Sequence, residues 1–276
     1  MKYEREVKVS TAKQQINFQT YGVNIGIESD GKFDVGKISC RLDDIFPNGF
    51  HIVERGKIEH QYSIIGIESE KYELYKNGQE LFPLLTEENL IDYLASHLRN
   101  VVAEFAVGKV FIHAGVVGWK GKAIVIPGSS FAGKTTLVAE LVKRGAVYYS
   151  DEYAVLDQNG KVYPYPKKLS IRGIIDNIRQ LDIAVEQLNG KPGIKPLSVG
   201  AVLITKYKQG MRTKINIQSR GRGVLEILGH SFAFRRNPQE VLAVLSEMVK
   251  NATIFKAERG EAAEFVDFFL EYIKNE

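Results

Sequence analysis

The stretch that most constrains the fold of this chain is a glycine-bounded loop at residues 128–136. It fits the pattern G-x-x-x-x-G-K-[ST], and its residues are, in order, Gly128, Ser129, Ser130, Phe131, Ala132, Gly133, Lys134, Thr135 and Thr136. A short apolar run of strand type, 122–127, precedes it, and apolar residues at helical spacing follow it until Gly145. Strand, glycine loop and helix is the context that this motif requires. We therefore predict a phosphate-binding loop between a strand and a helix.

The residue types in this loop suit a chain of phosphates. Its glycines let the backbone curl so that successive N–H groups and the helix N-terminus face an anion. Lys134 adds a positive charge toward the β- and γ-phosphates, and the hydroxyl of Thr135 can ligate Mg²⁺. A glycine turn that merely precedes a helix is the alternative, but four fixed positions match by chance in only about one chain of this length in a hundred. The loop thus predicts a nucleotide and Mg²⁺.

Two adjacent acids, Asp151 and Glu152, follow the next strand candidate, 146–150. In a phosphate-loop fold that strand ends beside the loop, so we expect both carboxylates to face the γ-phosphate and the metal. Phosphoryl transfer to an alcohol needs a metal bridge and a carboxylate that accepts the hydroxyl proton. The alternative is two surface acids at a strand end. The later strand candidate, 199–205, ends without an acid, which speaks against a motor ATPase.

The remaining candidates carry weaker signals. His113 stands in a strand candidate ahead of the loop, where a single histidine is more often structural than functional. The other four histidines lack metal-ligand spacing and Cys40 is the only cysteine, so we expect no zinc site. The segment 206–222 holds six basic residues and no acid. We interpret it as a solvated hairpin rather than a docking surface, and its near lack of aromatic residues speaks against nucleic acid.

Length and pattern predict the domain organisation. A chain of 276 residues has room for one large or two modest domains. Residues 1–85 read as short strands separated by turns, and we predict a β-rich accessory domain there. A helix at 86–107, capped by Thr86, is expected to bridge to a nucleotide-binding catalytic domain at 108–276.

Composition indicates the cellular compartment of the chain and the kinds of partner that it can bind. The net charge of +4 permits a phosphorylated ligand without requiring nucleic acid. A lone cysteine suits a reducing compartment. The first residues lack the apolar stretch of a secretory signal, and no apolar run approaches the roughly 20 residues that cross a bilayer. We therefore expect a cytoplasmic protein with no membrane or nucleic-acid partner, and a homo-oligomer is permitted.

Taken together, these pieces resemble a known family. The order of a histidine, a phosphate loop and an early acid pair is similar to the catalytic domain of HPr kinase/phosphorylase and to HPr-kinase-related bacterial proteins. The resemblance covers about residues 108–276. The matching pieces are His113-Ala114-Gly115, Gly128 to Thr136, Ser150-Asp151-Glu152 and Ile171-Arg172-Gly173.

The resemblance implies a fold and a reaction. The fold would be an α/β core with a mixed sheet, of the kind shared with the nucleotide-binding part of phosphoenolpyruvate carboxykinase. The reaction would be ATP-dependent transfer to a serine-type hydroxyl of a protein, peptide or metabolite. By carry-over, Asp151 would be the base and His113 would support it. Glu152 would help Thr135 bind Mg²⁺, and Arg172 would lie beside the active site.

The chain departs from the family at two positions. Thr136 stands where the family commonly has glutamate, and Ser170 replaces another of its glutamates, in a stretch tied to the reverse, phosphorolytic reaction. We therefore do not expect phosphorolysis. Two alternatives stay open: a nucleotide-binding sensor or scaffold without transfer, and a small-molecule kinase of the shikimate type. The His113 strand and the Ile-Arg-Gly segment speak against the latter.

Overall fold

A computed structural model describes residues 14–47, 49–54, 56–68, 70–129, 132–172 and 180–274, with only the backbone at 172, 180 and 181. The chain divides into two compact units, Met1–Val102 and Ala103–Glu276. Both contain a mixed sheet with parallel and antiparallel neighbours, together with helices, so the architecture is mixed α/β. No helix within the described ranges has the length and apolar character needed to span a membrane.

The described part of the first unit is built on a six-stranded sheet with two short helices. Its elements are β1 (Gln14–Thr20), β2 (Val23–Ser29), α1 (Gly36–Ser39), α2 (Leu42–Ile45), β3 (His51–Ile52), β4 (His60–Gly66), β5 (Lys71–Lys76) and β6 (Gln79–Thr86). The sheet order is β3-β1-β2-β4-β5-β6. Asn77 and Gly78 both have positive φ, 49° and 79°, as a two-residue Asn-Gly turn between β5 and β6 requires.

The helix α3 (Glu87–Phe105) follows β6 directly. The hydroxyl of Thr86 accepts a hydrogen bond from the Asn89 N–H at 3.4 Å, so the predicted capping residue is confirmed. The leucines of α3 follow helical spacing and form a stripe that is fully buried, as that spacing predicts. The boundary between the two compact units falls inside this helix, after Val102.

The described part of the second unit is built on a larger sheet with helices on both faces. Its strands are β7 (Val110–Trp119), β8 (Lys122–Pro127), β9 (Val147–Ser150), β10 (Tyr153–Leu156), β11 (Val162–Tyr163), β12 (Leu169–Arg172), β13 (Gln180–Ile183), β14 (Val199–Tyr207), β15 (Lys214–Gln218) and β16 (Thr253–Arg259). Its helices are α4 (Lys134–Lys143), α5 (Arg220–Leu228), α6 (Pro238–Val249) and α7 (Ala262–Tyr272), with a 3₁₀ turn at Val185–Leu188.

The strands of the large sheet run in the order β11-β10-β7-β8-β14-β16-β15, and β9 also pairs with β7. The three strands β8, β14 and β16 are mutually parallel, whereas β7, β9, β10 and β15 are antiparallel to their neighbours. The carboxyl ends of β8, β14 and β16 therefore lie at one edge of the sheet. The strands β12 and β13 form a separate two-stranded ribbon.

Apolar residues on alternate sides of the central strands make two cores. Val116 and Val125 face the layer that contains α5 and α6. Val117 and Ile124 face the opposite layer, which contains α4 and α7. Because both faces are covered, β7 and β8 are almost continuously apolar. This packing holds the end of β8 and the start of α4 at one edge of the sheet.

The interpretation of segment 206–222 as a hairpin is wrong. The strand β15 pairs with β16 and not with β14, the strand that precedes it in the chain. Alternating Ile215 and Ile217 suit an edge strand of this kind. After it, the Ser219 hydroxyl caps α5 by accepting a hydrogen bond from the Arg222 N–H, so the last basic residues of the segment begin a helix.

Candidate phosphate-binding and acid site

The loop after β8 leads directly into α4, as the sequence predicts. Gly133 is the N-cap residue and adopts the left-handed conformation, with φ 79° and ψ 22°. The Gly128 N–H donates to the carbonyl oxygen of His113 at 3.2 Å, and the Ala132 N–H donates to that of Ser129 at 3.2 Å. Ser130 and Phe131, also predicted to bind the nucleotide, lie outside the described residues.

Close contacts explain why glycine stands at both fixed positions of the loop. A Cβ atom at Gly128 would lie 3.1 Å from the Cβ of Ala132, which is tighter than ordinary packing. A Cβ at Gly133 would lie 2.4 Å from Nη2 of Arg259, and the positive φ would strain any other residue there. The described ends of the loop thus form a narrow backbone cradle whose space would be lost to larger residues at Gly128 and Gly133. This is the form that close approach of a phosphate requires.

Lys134, the first residue of α4, is buried, with 7% of its surface exposed. Its Nζ donates a hydrogen bond to the carbonyl oxygen of Ser129 at 2.9 Å, so its side chain folds back over the loop. Burial lowers the pKa of Lys134 to about 8, although the charges of Asp151 and Glu152 act to raise it. A buried ammonium that gains an anionic ligand regains the electrostatic stabilisation it lost on leaving water.

The first acid of the predicted pair contacts the loop helix directly. The Thr135 hydroxyl donates to Oδ2 of Asp151 at 3.1 Å, and Asp151 is buried with 5% of its surface exposed. This contact arises because β9, which ends just before Asp151, pairs with β7, and β7 in turn pairs with β8. The sheet therefore brings the end of β9 to the start of α4. The predicted metal-ligand hydroxyl and the predicted base lie together.

Asp151 has two further partners that the sequence did not indicate. The backbone N–H of Ser170 donates to Oδ2 at 3.2 Å, and the Tyr148 hydroxyl lies 3.1 Å from Oδ1. The same hydroxyl lies 2.7 Å from the carbonyl oxygen of Lys167, so its single proton faces two acceptors. Burial raises the pKa of Asp151, while the Lys167 charge opposes that rise. Burial therefore makes this carboxylate more basic than an exposed aspartate, although its hydrogen-bond donors act in the opposite direction.

Glu152 has different surroundings from Asp151. Its carboxylate pairs with the ammonium of Lys167, at 3.3 Å between Oε2 and Nζ. Its backbone carbonyl accepts a hydrogen bond from the Ala114 N–H on β7 at 3.1 Å. The turn that carries both acids is fixed by the Ser150 hydroxyl, which accepts the N–H of Glu152 at 3.1 Å. The two adjacent acids therefore have separate partners, the first on the loop helix and the second on Lys167.

Lys167 and Ser170 extend this network away from the loop. Nζ of Lys167 donates to the Ser170 hydroxyl at 3.0 Å, and that hydroxyl donates to Asp182 at 2.8 Å. Ser170 lies on β12, and Asp182 lies opposite it on β13. Arg172, predicted to lie beside the site, is the last residue of β12. Its side chain is outside the described set, so its predicted role stays a prediction.

His113 lies on β7 between the loop and the acids. It pairs across the sheet with Tyr153, which follows the acid pair, and its carbonyl accepts the Gly128 N–H. Burial, with the nearby Lys134 charge, lowers the pKa of His113 to about 4, despite the opposing effect of Glu152. The imidazole is therefore neutral near pH 7. A neutral ring can accept a proton or a hydrogen bond at this position.

Buried polar groups of the second unit concentrate at this one site. Among the described residues after Val102, the polar or charged side chains that are buried are Lys134, Ser150, Asp151 and Arg259. Burying such groups is costly, and perturbed ionisable groups cluster at functional sites. The local motif predicted the loop and the acids, whereas Arg259, Tyr148 and Lys167 were not predicted as parts of the site. Arg259 and Lys167 belong to other segments of the chain, and Tyr148 lies in β9, three residues before Asp151.

The residues present fit a nucleotide and Mg²⁺. The glycine cradle and buried Lys134 suit phosphate oxygens, and the hydroxyl oxygen of Thr135 and the carboxylate oxygens of Glu152 are the hard ligands that Mg²⁺ prefers. Within the described ranges, no cluster of three or more His, Cys, Asp or Glu side chains could hold a metal. Mg²⁺ is usually bound by one or two carboxylates together with substrate phosphates and water.

Comparisons with known proteins give little beyond this geometry. No family model matches the chain, and no curated protein matches it either. One solved structure to which it is similar is the HPr(Ser) kinase/phosphatase from Coxiella burnetii, at 13% sequence identity and a TM-score of 0.35. The match covers 59% of this chain and 95% of that one. A likeness this distant carries no argument about function, so the functional conclusion depends on the site itself.

Proposed function

We propose that this protein is a Mg²⁺/ATP-dependent kinase of HPr-kinase-like type, which transfers the γ-phosphate to a hydroxyl group. The observation that carries the proposal is the 3.1 Å contact between the Thr135 hydroxyl and the Asp151 carboxylate. It joins the N-terminus of the loop helix, where phosphate would bind, to a buried acid that could accept a hydroxyl proton. Those are the two parts that phosphoryl transfer to an alcohol requires.

Each residue of the site takes a role that its surroundings support. Lys134 and the loop amides from Gly128 to Thr136 would hold the β- and γ-phosphates. Asp151 would accept the proton of the acceptor hydroxyl, and its raised pKa favours this because a base works best near the ambient pH. The neutral imidazole of His113 would support that base, and Arg172 would lie nearby.

Thr135 and Glu152 would hold Mg²⁺ in this scheme. The ion would neutralise charge on the β- and γ-phosphate oxygens when bound. Glu152 pairs with Lys167. A cation at Glu152 would therefore compete with that ion pair, whereas Asp151 already contacts the hydroxyl of Thr135. Because of this difference, the role of Glu152 in binding Mg²⁺ and the role of Asp151 as the base can be tested separately.

The test incubates the protein with γ-labelled ATP and a lysate, and then identifies the protein, peptide or metabolite that becomes labelled. Asp151→Asn should keep ATP affinity and lose transfer by about 10²- to 10⁴-fold, because the base is gone. Glu152→Gln should instead raise the Mg²⁺ concentration needed for half-maximal transfer. Unchanged transfer by Asp151→Asn at saturating Mg²⁺ would remove Asp151 from the proposed mechanism.

A second candidate is a nucleotide-binding sensor or scaffold that performs no transfer. It is favoured by Ser170, which occupies the place of a family glutamate, donates its N–H to Asp151 and gives its hydroxyl to Asp182. The position therefore carries a hydroxyl in place of an acid, whereas the N–H that contacts Asp151 belongs to the backbone. Slow hydrolysis of ATP, with water as the acceptor, would indicate a kinase; tight ATP binding with no turnover would indicate the sensor.

The proposal also covers the roles of the domains, the partners and the cellular compartment. We infer an accessory role for residues 1–85, a bridging helix at 86–107 and a catalytic domain at 108–276. The partners would be a nucleotide and a hydroxyl-bearing acceptor, with no role for nucleic acid or a membrane, in the cytoplasm. The mixed sheet of the second unit and its loop at a strand end support a phosphoenolpyruvate carboxykinase-like core.

A further inference from the structure

A buried arginine at the end of β16 has no role in the scheme above. Arg259 has 3% of its surface exposed. Nη1 donates to the carbonyl oxygen of Gly260 at 3.0 Å, whereas Nε has no hydrogen-bond partner among the described residues. The guanidinium lies over the ring of Tyr207, 5.4 Å from its centre. It is thus a buried cation with one buried donor, Nε, left without a partner among the described residues.

The fold brings this cation to the phosphate loop. The strands β8, β14 and β16 are parallel, so the end of β16 lies at the edge of the sheet where the loop leaves β8. There the guanidinium lies against the backbone of Gly133, because a Cβ at that glycine would lie 2.4 Å from Nη2 and 3.7 Å from Cζ. Arg259 therefore contacts the N-cap of α4, one residue before Lys134.

A buried guanidinium is costly unless an anion pairs with it. Burial lowers the pKa of Arg259, and the charge of Glu261 opposes that effect from a distance. No ion pair joins Arg259 to a carboxylate within the described part of the chain. A guanidinium presents five N–H donors in a planar fork that matches phosphate oxygens, and charge-assisted bonds of this type are the strong ones.

We propose that Arg259 binds the phosphate chain of the nucleotide, as a second cation beside Lys134. The inference rests on the proposed nucleotide site and adds a residue 126 positions from Gly133 in the chain. It also gives Gly133 a second reason to be glycine, since any side chain there would displace the guanidinium. The competing explanation is that Arg259 only ties β16 to the loop. In that case it would affect folding but not the affinity for phosphate.

The test compares the full-length wild type with Arg259→Gln and Arg259→Lys by calorimetric titration with Mg²⁺–ATP and with Mg²⁺–tripolyphosphate. Tripolyphosphate carries the phosphate chain without base or ribose. Arg259→Gln should bind both ligands about 10- to 100-fold more weakly, since a hydrogen bond to a charged group is lost. Arg259→Lys should lie between it and the wild type. Arg220→Gln is the matched control, because it removes an exposed arginine of the same unit and should change neither affinity.

The outcomes separate this inference from the proposed function. Wild type that binds neither ligand would overturn both. Wild type that binds both, with equal affinity in Arg259→Gln, would overturn the role of Arg259 and leave the nucleotide site standing. Should Arg259→Gln fail to fold, the Nε–H resonance of Arg259 in the wild type decides the matter. It should shift on adding Mg²⁺–tripolyphosphate, and an unchanged resonance at saturation would refute the contact.

Discussion

Replacing Lys134 with methionine should make the ligand-free protein more stable while abolishing its binding of nucleotide. The reason is the cost of burying an ammonium group. The pKa of Lys134 is lowered from 10.5 to about 8, chiefly by burial. Each pKa unit is worth about 1.4 kcal/mol, so the charged form costs the folded state about 3 kcal/mol near pH 7. Methionine retains an apolar stem of similar length and carries no charge.

The gain is reduced by what the substitution removes. The hydrogen bond from Nζ to the Ser129 carbonyl, at 2.9 Å, is lost. Ser129 is exposed, however, so water can take the place of Nζ. A net rise of about 1–2 kcal/mol in the free energy of unfolding at pH 7 is the expected result.

The pH dependence provides the sharper check. A folded-state pKa below the unfolded value means that wild-type stability rises as pH increases from about 8 toward 10.5, while Lys134→Met lacks this rise. Urea unfolding without nucleotide, at pH 7 and at pH 9.5, measures the difference, which should shrink at the higher pH. Lys143→Met, an exposed position on α4, is the control and should change stability by no more than about 0.5 kcal/mol. A Lys134→Met protein less stable than wild type at pH 7 would refute the reasoning.

Two further predictions concern neighbours of the acid. Burial lowers the pKa of His113 to about 4, so its contribution to stability is present above pH 6.5 and is lost as pH falls toward 4. The ring is partly exposed, so we expect the free energy of unfolding of His113→Gln to fall by about 2 kcal/mol less than that of the wild type between pH 6.5 and pH 4. Denaturant unfolding across this pH range measures both proteins, and an equal fall in the two would contradict the prediction. The Tyr148 hydroxyl acts to lower the pKa of Asp151. Tyr148→Phe should therefore shift the acidic limb of the pH–rate profile for transfer to higher pH, and an unmoved limb would argue against the contact.

The sequence predicts the part of the site that depends on local pattern. The run before Gly128 and the spacing after Thr135 predict β8 and α4, because the loop motif has meaning only between a strand and a helix. The position of Asp151 beside Thr135 also follows, since the acid ends the strand after that helix. These residues lie within a short stretch of chain, where sequence order restricts the geometry strongly.

The rest depends on strand pairing, which no local pattern encodes. Arg259 reaches Gly133 only because β16 lies parallel to β14, and β14 lies parallel to β8. In the same sheet, β15 lies beside β16 on the side away from β14. Segment 206–222 therefore contains an edge strand and the start of a helix, where we expected a hairpin. Strand order is set by how the whole set of apolar faces is buried together, so it could not be derived from one segment at a time.

Tyr148 was missed for a different reason. It is one of two consecutive tyrosines in β9, and the alternation of a strand predicts only that their side chains point to opposite faces. Which of the two meets the acid depends on the face that α4 covers. Tyr148 packs in the core shared with α4 and contacts Asp151, whereas the hydroxyl of Tyr149 donates to the carbonyl of Lys195 at 2.7 Å.

The site holds three charged groups in buried surroundings that disfavour their charged forms. Burial lowers the pKa of Lys134 and of Arg259, and it raises the pKa of Asp151. A ligand that brings phosphate oxygens to Lys134 and Arg259 would favour the charged forms of both. The gain in stability and the loss of affinity that we predict for Lys134→Met would therefore have one cause. The fold bears the cost of buried charge, and a bound phosphate chain would offset it.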